Sequence, residues 1–449
     1  MVISKKSLLH DTGWTFVGQG LGYGLRVGYF LIVAHLLGVV QYGVVVGAFA
    51  FVNLVAEQSR LGTGMLLLRY VSPQRRQFGA YWGNTLLVTT LTSAALIALL
   101  SILAPHILNP ASASVVVILA ITSCYLDQLV YSSTQAFMAC GDMRGAAFIN
   151  QLPSLLRFVV ALAMWMTLQR ATAMEWAFGS SLAGLLAALI ALGLVSSQLG
   201  SPRFAPTLAV RHGLEGIGYA CASSTTNAYN DLDKTMLSHF GMNAANGVYG
   251  LAYRIIDMAT VPLMAVQLAA QPRLFQLADG GVLTLPVALG QRLLRRSLVL
   301  NAGICIGIVC LAPVIPMVVG HGFVDVVGAL RWLCLILVFR CIHGITGCVL
   351  TGVGLQRFRT ATQALVVGLN FGLNLWLIPR HGWHGAAWSS LVTDGTLAVL
   401  NWSVLQLRCR WMRGRGSEMC NSTVQSAVVS ESQGADRASV SFSGPSTVR

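Results

Sequence analysis

Charged side chains lie inside long apolar stretches of this sequence. A charge in hydrocarbon needs a partner or a water-filled cavity, so each is a candidate for chemistry. Arg26 stands about 12 residues before the end of its apolar run, roughly 18 Å at 1.5 Å per residue and near the middle of a core about 30 Å thick. Asp127 and Arg340 each stand 14 residues before a Gly-x-x-Arg motif, at Gly141 and Gly354, or roughly 21 Å deep. Tyr131, Thr134 and Gln135 continue the Asp127 stripe, and His343 lies one turn from Arg340. Asn227, Tyr229, Asn230, Asp231, Asp233 and Lys234 form the most polar stretch within an apolar run, and Arg254 and Asp257 are spaced to pair on one helix face. Arginine forks bind phosphate or carboxylate oxygens, and buried acids can carry a coupling proton or Na+. No nucleophile–base constellation is evident.

The elements that position these charges are membrane helices. Of 449 residues, 55% are hydrophobic and 10% charged, with mean hydropathy +0.68. A soluble domain carries about 25% charged residues, so most of this surface must face lipid. The net charge of +14 would suggest nucleic acid in a soluble protein. Here the basic residues occupy short loops between apolar runs, as membrane topology requires, and no nucleic-acid partner is expected. Eight of the ten cysteines lie in apolar segments without a CxxC pair, reading as small reduced hydrophobes and not as metal ligands or disulfides. The run 13–37 contains Arg26 and lacks a small-residue cleavage site, so it reads as a first span and not a signal peptide.

Runs long enough to cross a bilayer fall near 13–37, 42–60, 83–104, 114–139, 146–168, 174–197, 215–239, 246–270, 296–319, 324–350, 360–379 and 384–407. In alternate loops one side collects Lys5, Lys6, Arg60, Arg69, Arg75, Arg76, Arg144, Arg203, Arg211, Arg273, Arg292, Arg295, Arg296, Arg357, Arg359 and the arginines from Arg408 to Arg415. The other side holds Arg170 and Arg380. The positive-inside rule makes the first side cytoplasmic, with both termini. Lys234 and Arg331 are expected to snorkel toward the interface. The polar, Ser-rich stretch 412–449 is expected to be a disordered cytoplasmic tail.

The chain also repeats itself. Gly141 and Gly354 open equivalent Gly-x-x-Arg motifs at an offset of 213; Gly179-Ser180-Ser181-Leu182 recurs as Trp388-Ser389-Ser390-Leu391; and Gly38 to Gly43 has a counterpart from Gly241 to Gly250 at an offset of about 203. Six spans per repeat give both halves the same membrane orientation, the parallel-repeat architecture of two bundles flanking a cavity. The expected fold is all-α, with about twelve transmembrane helices in two six-helix lobes, 1–199 and 200–411. Asp127 and Arg340, in equivalent slots, are expected to pair across the pseudo-two-fold axis.

The stretch His35-Leu36-Leu37-Gly38-Val39-Val40-Gln41-Tyr42-Gly43, then Arg60-Leu61-Gly62-Thr63-Gly64 and Arg69-Tyr70-Val71-Ser72, resembles the polysaccharide biosynthesis (O-antigen and exopolysaccharide) flippase family. Gly247-Val248-Tyr249-Gly250-Leu251-Ala252-Tyr253-Arg254-Ile255 looks like its second-half version. The likeness runs from about residue 1 to 411, and Arg60 departs from it where the family often has an acidic or neutral residue. The resemblance implies a member of the multidrug/oligosaccharidyl-lipid/polysaccharide exporter superfamily in the bacterial inner membrane. Such proteins move undecaprenyl-pyrophosphate-linked oligosaccharide between leaflets, with membrane lipids around them and polysaccharide polymerase machinery as a partner. For that substrate Arg26, Arg340, Arg254 and Arg60 are the expected phosphate-binding residues, and Asp127, Asp231 and Asp257 the coupling or gating residues. Neither metal nor organic cofactor is expected, beyond a coupling proton or Na+. Cation-coupled drug efflux is the alternative, disfavoured by the excess of arginine over acid. A membrane glycan-modifying enzyme ranks third, because the outer loops are too short to carry a catalytic site.

Overall fold

The computed structural model of the chain describes residues 5–203, 230–279 and 284–408. Its elements, in order, are α1 (Lys5–Ala56), a 3-10 turn (Glu57–Arg60), α2 (Thr63–Val71), α3 (Phe78–Ile107), α4 (Pro110–Ala120), a π-helical turn (Ile121–Leu126), α5 (Asp127–Ala139), α6 (Met143–Thr167) and α7 (Ala173–Gln198). The second half continues with α8 (230–239), α9 (Asn243–Ala259), α10 (Val261–Asp279), α11 (Thr284–Leu311), α12 (Val314–Val319), α13 (Val326–Gly352), α14 (Gln356–His381) and α15 (383–408). Among the described residues nine helical stretches are long and apolar enough to cross a membrane. The first of them, Gly24–Val71, is broken at Gly38 (φ 68°, ψ 171°) and supplies two crossings. α8, the described part of the seventh expected run, and α15, which has the length to span, occupy the places of the remaining two of the twelve expected. Asn227, Tyr229, Arg211, the first part of the seventh span and the tail from 412 lie outside the described residues.

Local chemistry accounts for the helix ends. Asp142 caps α6 by accepting from the Arg144 and Gly145 amides at 3.1 and 2.9 Å, and Thr172 and Glu175 close a reciprocal capping box on α7. The repeat is visible in the backbone. Gly38 and Gly241 turn with φ of 68° and 72°, and Gly141 and Gly354 with 79° and 78°, values in the left-handed region that glycine adopts without steric cost.

The two halves meet where the second arm of α1 crosses α9. A Cβ on Gly43 would lie 1.7 Å from the Asn243 carbonyl oxygen, and one on Gly247 2.1 Å from that of Val39. At an offset of 204, Gly43 is equivalent to Gly247 and Val39 to Asn243, so the contact is reciprocal, as a two-fold interface requires. A Cβ on Gly250 would meet Val46, its own equivalent, at 2.6 Å, which puts the pseudo-axis between them. These small residues let the backbones approach closely, as helix pairs in membranes do.

At the end away from the basic loops the halves are tied together. Asn109 Nδ2 donates to Ser238 O (2.7 Å) and to Asn243 Oδ1 (2.9 Å), His35 Nδ1 to Val319 O (3.1 Å) and His239 Nδ1 to Ile107 O (2.6 Å). Tyr42 packs edge-on against Phe323. Toward the basic end the apolar clusters belong to one half each, one around Leu67, Trp82, Phe137 and Ile149 and another around Leu274, Val349 and Leu405. The halves are thus joined at one end and part toward the other.

Candidate functional site

Two cavities lie among the helices. The first, about 140 Å³, is lined by Arg26 and Tyr29 of α1, Phe49 of its second arm, Arg157 of α6, and Arg254 and Met258 of α9. Arg157 Nη2 donates to both carboxylate oxygens of Asp127 at 2.8 Å, and its Nε to buried Ser180 at 3.2 Å. Arg26 Nε donates to Ser154 Oγ at 3.0 Å. Arg254 reaches in from the second half with its guanidinium 5.2 Å from the Phe49 ring centre; it forms no direct ion pair among the described residues, and Asp231 and Asp257 lie near enough to act on it. Three guanidinium groups therefore line one cavity, and the Asp127 carboxylate reaches it through Arg157. That density of donors fits an anion with several acceptor oxygens.

The second cavity, about 240 Å³, belongs to the second half and is lined by Asn230 (α8), Thr260 and Gln267 (α9–α10), Arg340 and His343 (α13), Arg359 and Gln363 (α14) and apolar Leu263, Val367 and Leu397. Arg340 donates to Asp257 Oδ1 (2.9 Å), the Tyr253 hydroxyl (2.5 Å) and Asn230 Oδ1 (3.3 Å). His343 Nε2 donates to Asp394 Oδ1 at 3.0 Å, and Arg359 Nη1 to Thr351 Oγ1 at 2.9 Å.

A polar network separates the two cavities. Asp231 accepts from Lys234 Nζ (2.8 Å) and, across the halves, from Asn53 Nδ2 (2.5 Å). Lys234 lies 4.1 Å over the Tyr253 ring. Asp233, fully inside, takes the Tyr249 hydroxyl and the Ser390 hydroxyl as partners.

Several sequence expectations are corrected here. Asp127 and Arg340 do not pair: each has a partner within its own half, Arg157 and Asp257. Asp257 is engaged by Arg340 and not by Arg254, its neighbour one turn away, which leaves Arg254 for the cavity. Lys234 is 7% exposed and does not snorkel, because Asp231 and Tyr253 hold its charge inside. Arg60 lines neither cavity. It is buried in the first half, on Glu57 (2.5 Å) and 3.6 Å over the Tyr131 ring, where Leu61 (φ 42°) and Gly62 (φ 71°) reverse the chain. Arg26, Arg254 and Arg340 do line cavities. Arg157 escaped the sequence reading, although it is an arginine in an apolar run. Lying 16 residues past Gly141, it reaches about 24 Å, close to the depth of Asp127 on the preceding helix. Among the described residues no group of three or more His, Cys, Asp or Glu side chains comes together as a metal site would require.

The family model described as polysaccharide biosynthesis protein matches residues 8–278. No curated protein matches the chain. Among solved structures, an inward-facing multidrug resistance MATE family transporter of the MOP superfamily is similar, with 14% identity over 88% of this chain and 95% of that one and a TM-score of 0.68. The lipid II flippase MurJ in an inward closed conformation matches at 11% identity over 87% of each chain, again with a TM-score of 0.68. An outward-facing MATE transporter gives 14% identity, 89% and 95% coverage, and 0.56. Identities of this size establish a shared fold. A duplicated twelve-helix architecture and a family match over more than half its length make this chain a multi-pass membrane protein of the polysaccharide biosynthesis protein family, built on the fold of the MOP superfamily transporters.

Proposed function

We propose that this protein flips undecaprenyl-pyrophosphate-linked oligosaccharide, an O-antigen or exopolysaccharide repeat unit, across the bacterial inner membrane by alternating access. The observation that carries the reading is the first cavity, which Arg26, Arg157 and Arg254 line together. A pyrophosphate presents many acceptor oxygens and a dense negative charge, and arginine forks answer both. A cationic drug would meet the same three guanidinium groups. By the positive-inside rule the basic end and both termini face the cytoplasm. The tie of Asn109 to Ser238 and Asn243 then closes the far side while the near side admits a substrate made in the cytoplasm.

Rocking of the halves about the α1–α9 contact would exchange the open and closed ends. The three acids assigned to coupling each hold a cation in the resting state: Asp127 holds Arg157, Asp231 holds Lys234, and Asp257 holds Arg340. Phosphate taken up by Arg157 would free Asp127 for a proton or Na+, which is how substrate and ion binding would be linked. The flipped glycolipid would pass to polymerase machinery on the far side. The reading is one of transport and assigns no catalytic residue.

The test is the sidedness of lipid-linked oligosaccharide in cells depleted of the protein. Accumulation on the cytoplasmic face is expected, relieved by the intact chain but not by Arg254→Gln. Loss of one charge-assisted contact weakens phosphate binding roughly 10- to 150-fold. Normal delivery of glycolipid to the outer leaflet, with heightened sensitivity to cationic drugs, would replace flipping with efflux.

A further inference from the structure

The two cavities differ in chemistry, and the difference assigns them different parts of one substrate. The first is an arginine cluster. The second is polar but balanced in charge: Arg340 is met by Asp257, and Asp394 lies on His343 close enough to Arg340 to act on it. A balanced site gains little from an anion. What it offers instead is amide chemistry. Gln267 and Gln363 both line it, half-buried, and neither side chain is engaged by another group among the described residues. A primary amide is two donors and an acceptor at once, the pattern that suits a hydroxyl, which also gives and takes. Half-buried amides with nothing to bond in the resting state are satisfied when such a ligand arrives.

The backbone of α13 makes room for this array. A Cβ on Gly344 would stand 2.2 Å from Gln267 Nε2, and one on Gly347 3.1 Å from Arg359 Nε, so two glycines one turn apart let both side chains lie against the helix. Leu263, Val367 and Leu397 supply apolar faces against which ring C–H groups can pack. At about 240 Å³ the cavity is below the ~300–1,000 Å³ of a drug-sized site, room for a ring-sized group and not for a whole repeat unit.

We infer that the second-half cavity is a sugar subsite, in which Gln267, Gln363, His343 and Asn230 bind the hydroxyl groups of one glycan ring while the pyrophosphate occupies the arginine cavity. The inference rests on the proposed function and names the part of the substrate that the second half recognises. α9 stands between the two sites, presenting Arg254 to one and, through Asp257, holding Arg340 in the other, so one glycolipid would engage both halves at once.

The full-length protein in lipid nanodiscs carries one of two reporters, Val367→Cys in the second cavity or Met258→Cys in the first, with maleimide modification followed by peptide mass. The probes are farnesyl pyrophosphate, which has no sugar, and the oligosaccharide released by mild acid from the lipid-linked pool of depleted cells. The oligosaccharide should slow modification at position 367 and leave position 258 unaffected. Adding Gln267→Ala or Gln363→Ala should weaken that protection about 3- to 10-fold, the loss of a neutral hydrogen bond or two. Farnesyl pyrophosphate should protect position 258 whether or not the glutamines are present. Absence of oligosaccharide protection at 367, or protection that survives both glutamine substitutions, overturns the sugar subsite. Failure of farnesyl pyrophosphate to protect 258, with oligosaccharide protection intact, overturns the pyrophosphate reading and leaves the sugar subsite standing.

Discussion

Replacing Asp127 with alanine strands the Arg157 guanidinium, and the size of the damage follows from the geometry. The pair is bidentate in the sense that one Arg157 nitrogen reaches both carboxylate oxygens at 2.8 Å, with side chains 16% and 25% exposed. Removing one member of a buried pair costs about 3–5 kcal/mol, whereas replacing both by apolar groups of similar volume is near neutral. Because some water reaches this pair, the lower end applies, about 3 kcal/mol for Asp127→Ala. The double variant Asp127→Ala/Arg157→Leu should recover most of it, giving a coupling of about 2–3 kcal/mol between neighbours. Asp127→Ala with Arg340→Ala should be additive within about 0.5 kcal/mol, since Arg340 is held by Asp257 in the other half. Reversible unfolding in mixed micelles, followed by helicity at fixed lipid ratio, measures the three single and two double variants. A double variant as damaged as the sum of its singles refutes the Asp127–Arg157 pair, and strong coupling to Arg340 restores a cross-axis pair in its place.

Two further outcomes test the closed end. Gly247→Val pushes a branched side chain into the space where even a Cβ would stand 2.1 Å from the Val39 carbonyl, so the α1–α9 contact must open. A Tyr42→Cys reporter should then react faster with an impermeant thiol reagent from the far side, and unchanged reactivity counts against the axis placed there. Asn109→Ala removes hydrogen bonds to Ser238 and Asn243 worth about 2 kcal/mol together, roughly a thirtyfold shift toward far-side opening. Asn109→Ser keeps a competent helix cap for α4 but cannot span the interface, so it should open the far side without loss of stability. If only the alanine variant opens it, the cap and not the cross-half bond is responsible.

Much of the architecture is legible in the sequence because lipid imposes one rule on every span. Run length and the placement of arginines give the helices and their alternation, and the glycine turns at 38, 141, 241 and 354 stand out because left-handed backbone selects glycine. Partner choice is harder to read. Asp127 and Arg340 occupy equivalent slots, yet equivalence under a two-fold axis does not bring residues into contact unless they lie on the axis, as Val46 and Gly250 do. The depth of Arg157 matches that of Asp127 on the adjacent helix, a register that could have been read from the distance of each to Gly141. Arg340 draws Asp257 from α9 and not from a helix next to it in sequence, and that choice depends on three-dimensional packing. The π-helical turn at Ile121–Leu126 likewise leaves no mark in the apolar pattern.

The reciprocal seat of Gly43 on Asn243 and of Gly247 on Val39 has a consequence for how the chain could have diverged. In a dimer of identical halves, one substitution at this crossing would appear on both sides of the axis and change the contact twice. Fusion of the halves into a single chain breaks that obligation, so each copy can vary while the crossing is kept. The freedom is visible one helical turn beyond, where Val46 on one copy faces a glycine on the other. It is visible again in the two cavities, one gathering three guanidinium groups and the other pairing Arg340 with Asp257 and offering amides. A symmetric ancestor would have had to bind the same group twice; the fused chain can hold two unlike ends of one molecule.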